Sequence, residues 1–222
     1  VNIGGRTRVL WGVWIQELWR YPVKSMRGER LDVADVTAGG IAGDRLGLVV
    51  RGGRVITSRT NPLLLSHRGG IGADGAPTVD GLPWDSPESA QAVAEAAGGQ
   101  AALVRCEGPE RFDILPLLVA TDGAIAAFGE DGRRLRPNIV IGGVEGLAER
   151  GWEGKQLRAS DVVIRIHDLR DRCVMTTYDP DTQVQDLGVL RKIVRQFDGK
   201  IALNCSVVRP GTIRVGDRVD FV

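Results

Sequence analysis

A chain of 222 residues is long enough for one large or two small cores. Its 29 basic and 28 acidic residues leave a formal net charge of +1, which removes the general case for binding nucleic acid or a membrane surface. Three cysteines in no paired spacing argue against a disulfide framework, a zinc ribbon and an iron–sulfur set, and they fit a reducing, cytoplasmic setting.

No apolar run reaches the roughly 18 residues of a spanning helix. The first fifteen residues lack the apolar core and cleavage site of a secretory signal. From Val9 the pattern alternates, with Val13, Ile15 and Leu18 close to one face of a strand. Pro22 ends regular pairing, and Lys24, Ser25 and Arg27 follow within a turn. A cation beside a hydroxyl and free backbone N–H groups can cradle a phosphate, although a lone Lys-Ser is more often a solvated turn.

Leu31 to Val36 alternates as one half-buried strand, and Ala38 to Arg45 is a glycine-rich turn. Leu46 to Val50 is a second strand, Gly52-Gly53 a hairpin, and Val55 to Thr57 resumes the sheet. Arg45 and Arg59 therefore both lie at strand ends, where a surface ion pair would account for either one alone. Gly69 to Asp85 is rich in Gly, Pro and Asp and is a weak candidate for a linker. Ser86 is a good N-cap and Pro87 suits the first position of a helix with Ala90, Val93, Ala94 and Ala97 on one face, closed by Gly98-Gly99.

Ala102 to Cys106 reads as a strand and Leu115 to Ala120 as a strongly apolar segment. Thr121-Asp122-Gly123 caps a short helix through Phe128, and Arg136 and Asn138 stand just before a buried strand, Ile139 to Ile141. Leu187, Leu190, Ile193, Val194 and Phe197 have helical spacing, and Ile201 to Val208 is a further strand. Cys106 and Cys205 read as structural. Many short strands, glycine and proline turns and at most three helices give a mostly β, α+β fold class of the barrel or sandwich kind.

The chemistry centres on Arg172 to Thr182. Cys173 follows a strand, Val162 to Ile166, and precedes Asp179-Pro180-Asp181-Thr182, which has the form of a type I turn. A nearby guanidinium favours the thiolate, a soft ligand, whereas the plain alternative is a small hydrophobe at a strand end. His67 and His167 are 100 positions apart, which argues against a histidine metal site. No nucleophile elbow, P-loop or dinucleotide fingerprint is present. Pairing Cys173 with His167 would require a contact that their spacing does not assure. There remain Cys173, Lys24, Ser25, Arg45, Arg59 and Arg136. If they converge, they suit a ligand that carries both a thiophilic metal and a phosphate.

Four segments in this order carry a resemblance. Tyr21-Pro22-Val23-Lys24-Ser25 with Gly28, then Gly43-Asp44-Arg45, resemble the N-terminal β-barrel segment that precedes MOSC domains. Arg136 to Ile141, Arg172 to Thr182 and Pro210 to Asp217 resemble the MOSC domain itself. The same layout occurs in amidoxime-reducing molybdoenzymes and at the C-terminus of molybdenum cofactor sulfurases. The resemblance implies a smaller N-terminal β-barrel domain, expected over residues 9–84, packed with a MOSC-type β-barrel over residues 85–222. It implies a molybdopterin-type molybdenum cofactor, with Cys173 as metal ligand, Lys24, Ser25 and Arg45 on the phosphate, and Arg59, Arg136 and Asn138 near the pterin. The activity implied is a two-electron reduction that removes oxygen from the N–O bond of a small-molecule substrate, with electrons from a separate electron-transfer protein. The alternative implied is sulfur transfer or cofactor tailoring through a persulfide on Cys173. In that case a separate sulfur donor, and not this chain, would carry any pyridoxal phosphate. Relatives often carry Cys or Ser close before the key cysteine, where this chain has His167 to Asp171, and Ser at the position of Ala124.

Overall fold

The structure, a computed structural model, describes residues 12–222. The expected strand start at Val9 lies partly outside them. Eight strands form the main sheet, in the spatial order Val219–Phe221, Gln156–Ala159, Val162–Asp171, Lys200–Arg209, Leu117–Thr121, Ile139–Gly142, Trp14–Arg20 and Glu29–Leu31. One pair, Leu117–Thr121 with Ile139–Gly142, is parallel. The sheet curls so that its end strand Val219–Phe221 comes back toward Trp14–Arg20, the second strand from the other end. Trp14 bridges Arg218, Ile15 N–H donates to the Asp217 carbonyl, and Val219 N–H donates to that of Val13.

Inward-facing Ile15, Ile139, Ile141, Leu157, Ile164 and Val219 fill the barrel and leave a void of only about 10 Å³. Two further cores pack outside it. Val23, Met26, Val49, Leu64 and Val79 pack against Val93, Ala96 and Ala97 from α1 (Pro87–Ala96) and the residue after it. Phe128 of α2 (Asp122–Phe128) packs against Val189, Ile193 and Phe197 of α3 (Leu187–Phe197), with Leu135. The division expected after residue 84 falls between the strand Leu82–Pro83 and α1, yet α1 packs on the N-terminal core.

Several expected elements form with their capping chemistry. Ser86 accepts from Ser89 N–H at 3.1 Å, and Thr121 accepts from Ala124 N–H at 3.0 Å. Gly52 and Gly53 have φ of 55° and 73°, the left-handed pair a tight hairpin needs.

Four expectations need correction. The single strand expected over Leu31–Val36 is two: Glu29–Leu31 pairs with Trp14–Arg20, and Val33–Thr37 pairs with Gly211–Arg214 in a separate sheet. Asp32 is the pivot, and its carbonyl accepts from Val215 N–H. The Gly69–Asp85 stretch is no linker, because Gly69–Ile71, Pro77–Val79 and Leu82–Pro83 form a three-stranded sheet of their own. Both long helices are rotated from the faces expected. In α1 the buried positions are Ser89, Val93 and Ala96, and Ala90 is exposed, since an alanine-rich run marks no face strongly. In α3 they are Val189, Ile193 and Phe197, while Leu187 and Val194 are exposed. The turn after Cys173 is also longer than a type I turn: Gln183 N–H, not that of Thr182, closes onto the Asp179 carbonyl at 2.9 Å.

Candidate functional site

The strand Val162–Asp171 runs five residues past its expected end and delivers Arg170, Arg172 and Cys173 to the mouth of the barrel. Cys173 then starts a short 3-10 turn, Val174–Thr177. Its carbonyl accepts from Thr176 N–H at 3.1 Å and Thr176 Oγ1 at 2.9 Å, which fixes the residue from behind. The hydroxyls of the motif therefore serve the backbone. Asp179 steadies the far side, its Oδ1 accepting from Asp181 N–H, Thr182 N–H and Thr182 Oγ1.

Cys173, Lys24, Ser25, Arg45, Arg59 and Arg136 all line one cavity of about 360 Å³. Its walls come from elements far apart in sequence, each contributing a strand end or turn. Lys24 N–H donates to the Gly47 carbonyl, and its ammonium reaches the Arg111 carbonyl at 3.0 Å and Asp113 at 2.9 Å. Ser25 is held at φ 73°, is buried, and its hydroxyl makes no hydrogen bond among the described residues. Arg45, at φ 54°, pairs through its guanidinium with buried Asp44, whose other oxygen accepts from Tyr21 N–H at 2.7 Å. Arg45 and Arg136 stand over the Tyr21 ring at 5.4 and 4.3 Å. Gly28 leaves room for that ring, since a Cβ there would sit 2.6 Å from Tyr21 Cδ1.

Asn138 does not line the cavity. It is buried, accepts from Leu118 N–H at 3.1 Å and donates to the Trp19 carbonyl at 3.4 Å, tying together the strands beside the site. His167 turns to Ser206 at 2.8 Å and His67 to Asp80 at 2.7 Å, so neither joins Cys173.

Among the lining residues that escaped the sequence reading as site members are Asp113, Arg170 and Arg172. Asp113 draws together Lys24 at 2.9 Å, Arg59 at 2.9 Å and Arg170 at 3.3 Å. Burial alone would raise its carboxyl, but the three cations hold it below the usual carboxylate range. Arg170 and Arg172 alternate toward the thiol, a spacing visible in sequence only once the strand is known to continue. Nothing local marks Asp113.

Six cations line the cavity against two carboxylates, Asp113 and Asp171. Burial pushes Arg136 and Arg172 down to about 10, and neighbouring guanidinium groups push in the same direction. Arg172 donates to the Leu135 carbonyl at 2.8 Å, and its buried Nε has no partner. Arg59 lies beside the Cys173 thiol; burial opposes its charge, and Asp113 and Cys173 outweigh burial and raise its pKa. Excess positive charge, a free hydroxyl and one cation-flanked thiol fit an anionic, phosphate-bearing ligand with a soft centre. Among the described residues, no group of three or more His, Cys, Asp or Glu is placed to hold a metal ion.

Fold and site together define a mostly β protein with a curled eight-stranded sheet and a cation-lined, single-thiol cavity at its mouth. The chain belongs to the MOSC family: residues 13–123 match the MOSC N-terminal beta barrel domain and residues 124–220 the MOSC domain. It is 28% identical to human mitochondrial amidoxime-reducing component 1 and 26% identical to human mitochondrial amidoxime reducing component 2, in each case over 92% of this chain and 82% of the relative. Among solved structures it resembles the YuaD protein of Bacillus subtilis, with a TM-score of 0.52 and 16% identity over 94% of both chains, which is a likeness of fold. Among the described residues, no helix is long and apolar enough to cross a membrane.

Proposed function

We propose that the cavity holds a molybdopterin-type molybdenum cofactor and that the chain reduces N-hydroxylated or N-oxygenated small molecules. The observation that carries this reading is the convergence of Cys173 with Lys24, Ser25 and Arg45 on one cavity. Cys173 would hold the metal. Lys24, Ser25 and Arg45 would hold the phosphate, and Arg136, with Arg59 at the thiol side, would flank the remainder. When bound, the cofactor supplies a two-electron redox centre.

Overall, an N–OH group takes two electrons and two protons and leaves as N–H and water. The chain's part is positioning and electrostatics. Arg59 and Arg170 keep positive charge beside the thiol, where they favour an electron-rich substrate oxygen. Asp113 holds Lys24, Arg59 and Arg170 in a fixed array before any ligand arrives. Electrons come from a separate donor protein, and the three free cysteines suit a reducing compartment such as the cytoplasm.

The test is turnover of N-hydroxybenzamidine by the holoprotein with a chemical reductant. The reading predicts stoichiometric benzamidine from the wild type and at least a hundredfold less from Cys173→Ala. Failure of the wild type to reduce this or any other N-hydroxy compound would remove it. In that event, mass gain by one sulfur at Cys173 after incubation with a sulfur donor would place the chain among sulfur-transfer proteins.

A further inference from the structure

A second cavity, of about 400 Å³, opens beside the first and shares Arg136 and Met175 with it. Its walls are of a different kind. Trp19, Tyr21 and Tyr178 offer aromatic faces, and Leu65 adds apolar surface. Five arginines face a single carboxylate, Asp181. Two of the five are committed. Arg133 grips Asp181 at two points, 2.9 and 2.6 Å, and Arg134 meets Asp179 at 3.1 Å.

Arg27, Arg68 and Arg136 remain, and among the described residues none of them has an acidic group within ion-pair reach. Arg27 gives one guanidinium nitrogen to the Ser66 carbonyl, and its buried Nε has no partner. Arg27 and Arg68 are bound side by side in a parallel bridge, Arg27 N–H to the His67 carbonyl and Gly69 N–H to the Arg27 carbonyl, both at 2.9 Å. Backbone bonding thus sets two guanidinium groups without an acidic partner on one wall, beside aromatic faces: the Arg68 fork makes no side-chain hydrogen bond among the described residues, and Arg27 spends one nitrogen on the Ser66 carbonyl. The chemical complement is a flat ring that carries a carboxylate, because the fork matches both oxygens and the ring stacks.

We propose that this second cavity is the substrate chamber and that it selects aromatic N-hydroxy compounds bearing a carboxylate, which Arg27 and Arg68 hold. The N-hydroxy part rests on the reductase reading above; the carboxylate part rests on this cavity alone. Met175 and Arg136 line both cavities, so a ring held in the second lies next to the wall it shares with the Cys173 cavity. Met175 follows Cys173 by two residues in the same turn, and its sulfur accepts from the buried Ser58 hydroxyl at 2.6 Å, which sets its position.

The experiment is calorimetric titration of the full-length holoprotein with N-hydroxybenzamidine and with its 4-carboxy derivative. Wild type should bind the carboxylate probe at least tenfold more tightly. In Arg68→Gln, an exposed position where folding is not at stake, and in Arg27→Gln, checked by thermal melting, the ratio of the two affinities should fall toward one. Arg54→Gln, an exposed substitution outside the cavity, should leave the ratio as in wild type. Equal affinities in wild type, an intact ratio in both Arg68→Gln and Arg27→Gln, or an equal fall in Arg54→Gln would overturn the proposal. Binding is read whether or not turnover occurs. A measured preference without reduction of either probe would sink the reductase reading and leave the anion site standing.

Discussion

Cys205 and Cys173 lie on one pair of strands and live in opposite surroundings. Cys205 faces Ile166 across the ladder inside the barrel, fully buried, and burial pushes its thiol far up. Five residues along the same ladder, at Asp171 opposite Lys200, pairing ends, and Cys173 follows into a cavity lined by six cations. The apolar interior makes a thiol into packing; the mouth makes it available. Reactivity here is a matter of where on the barrel the residue sits, not of residue type.

The largest expected effect is on alkylation. Iodoacetamide should modify Cys173 in the native protein about a thousandfold faster than Cys205, whose reaction must await unfolding. Peptide mapping against time checks this, and similar rates would erase the contrast. Next in size is Asp44→Ala. It strands the Arg45 guanidinium and the Tyr21 N–H at the cavity wall, and should cost about 3 kcal/mol in urea unfolding. A loss under about 0.5 kcal/mol would mean that the mouth is not built around that carboxylate.

Cys205→Ser puts a hydroxyl into the apolar core and should cost about 2 kcal/mol, whereas Cys173→Ser in the cofactor-free protein should change stability by under about 0.5 kcal/mol. Reversal of that order in chemical denaturation would break the comparison. The smallest effect is a pH dependence. The Asp113 carboxyl is held below its ordinary value of 3.8, so it adds stability that is complete above that value and is lost as pH falls through the folded one. Asp113→Asn should therefore flatten the acid limb of stability below about pH 4. An acid limb as steep as wild type would remove Asp113 from the account.

The interior and the mouth also differ in how much of them sequence could show. The candidate site was largely legible, since Lys24-Ser25, Gly43-Asp44-Arg45 and Arg172-Cys173 are local signals at strand ends, and six of the seven named residues line the cavity. Asn138 stands apart from the other six, since a polar side chain before a buried strand looks the same in sequence whether it serves a ligand or the backbone. Asp113 gave no signal at all, as its role exists only once three distant cations surround it. In the fold, caps and hairpins were legible because they depend on a few adjacent residues. The break at Asp32 and the buried faces of α1 and α3 were not, because they depend on which distant surface each element meets.

The central claim is that the thiol and the phosphate-type donors serve one bound molecule through different ends. The direct measurement is molybdenum and pterin content after expression in a host that makes the cofactor, for wild type, Cys173→Ser and Lys24→Ala/Arg45→Ala. The account predicts near-stoichiometric molybdenum and pterin in wild type, loss of metal from Cys173→Ser, and loss of both from the double variant. Wild type without molybdenum or pterin, or Cys173→Ser with the full wild-type metal content, would contradict it.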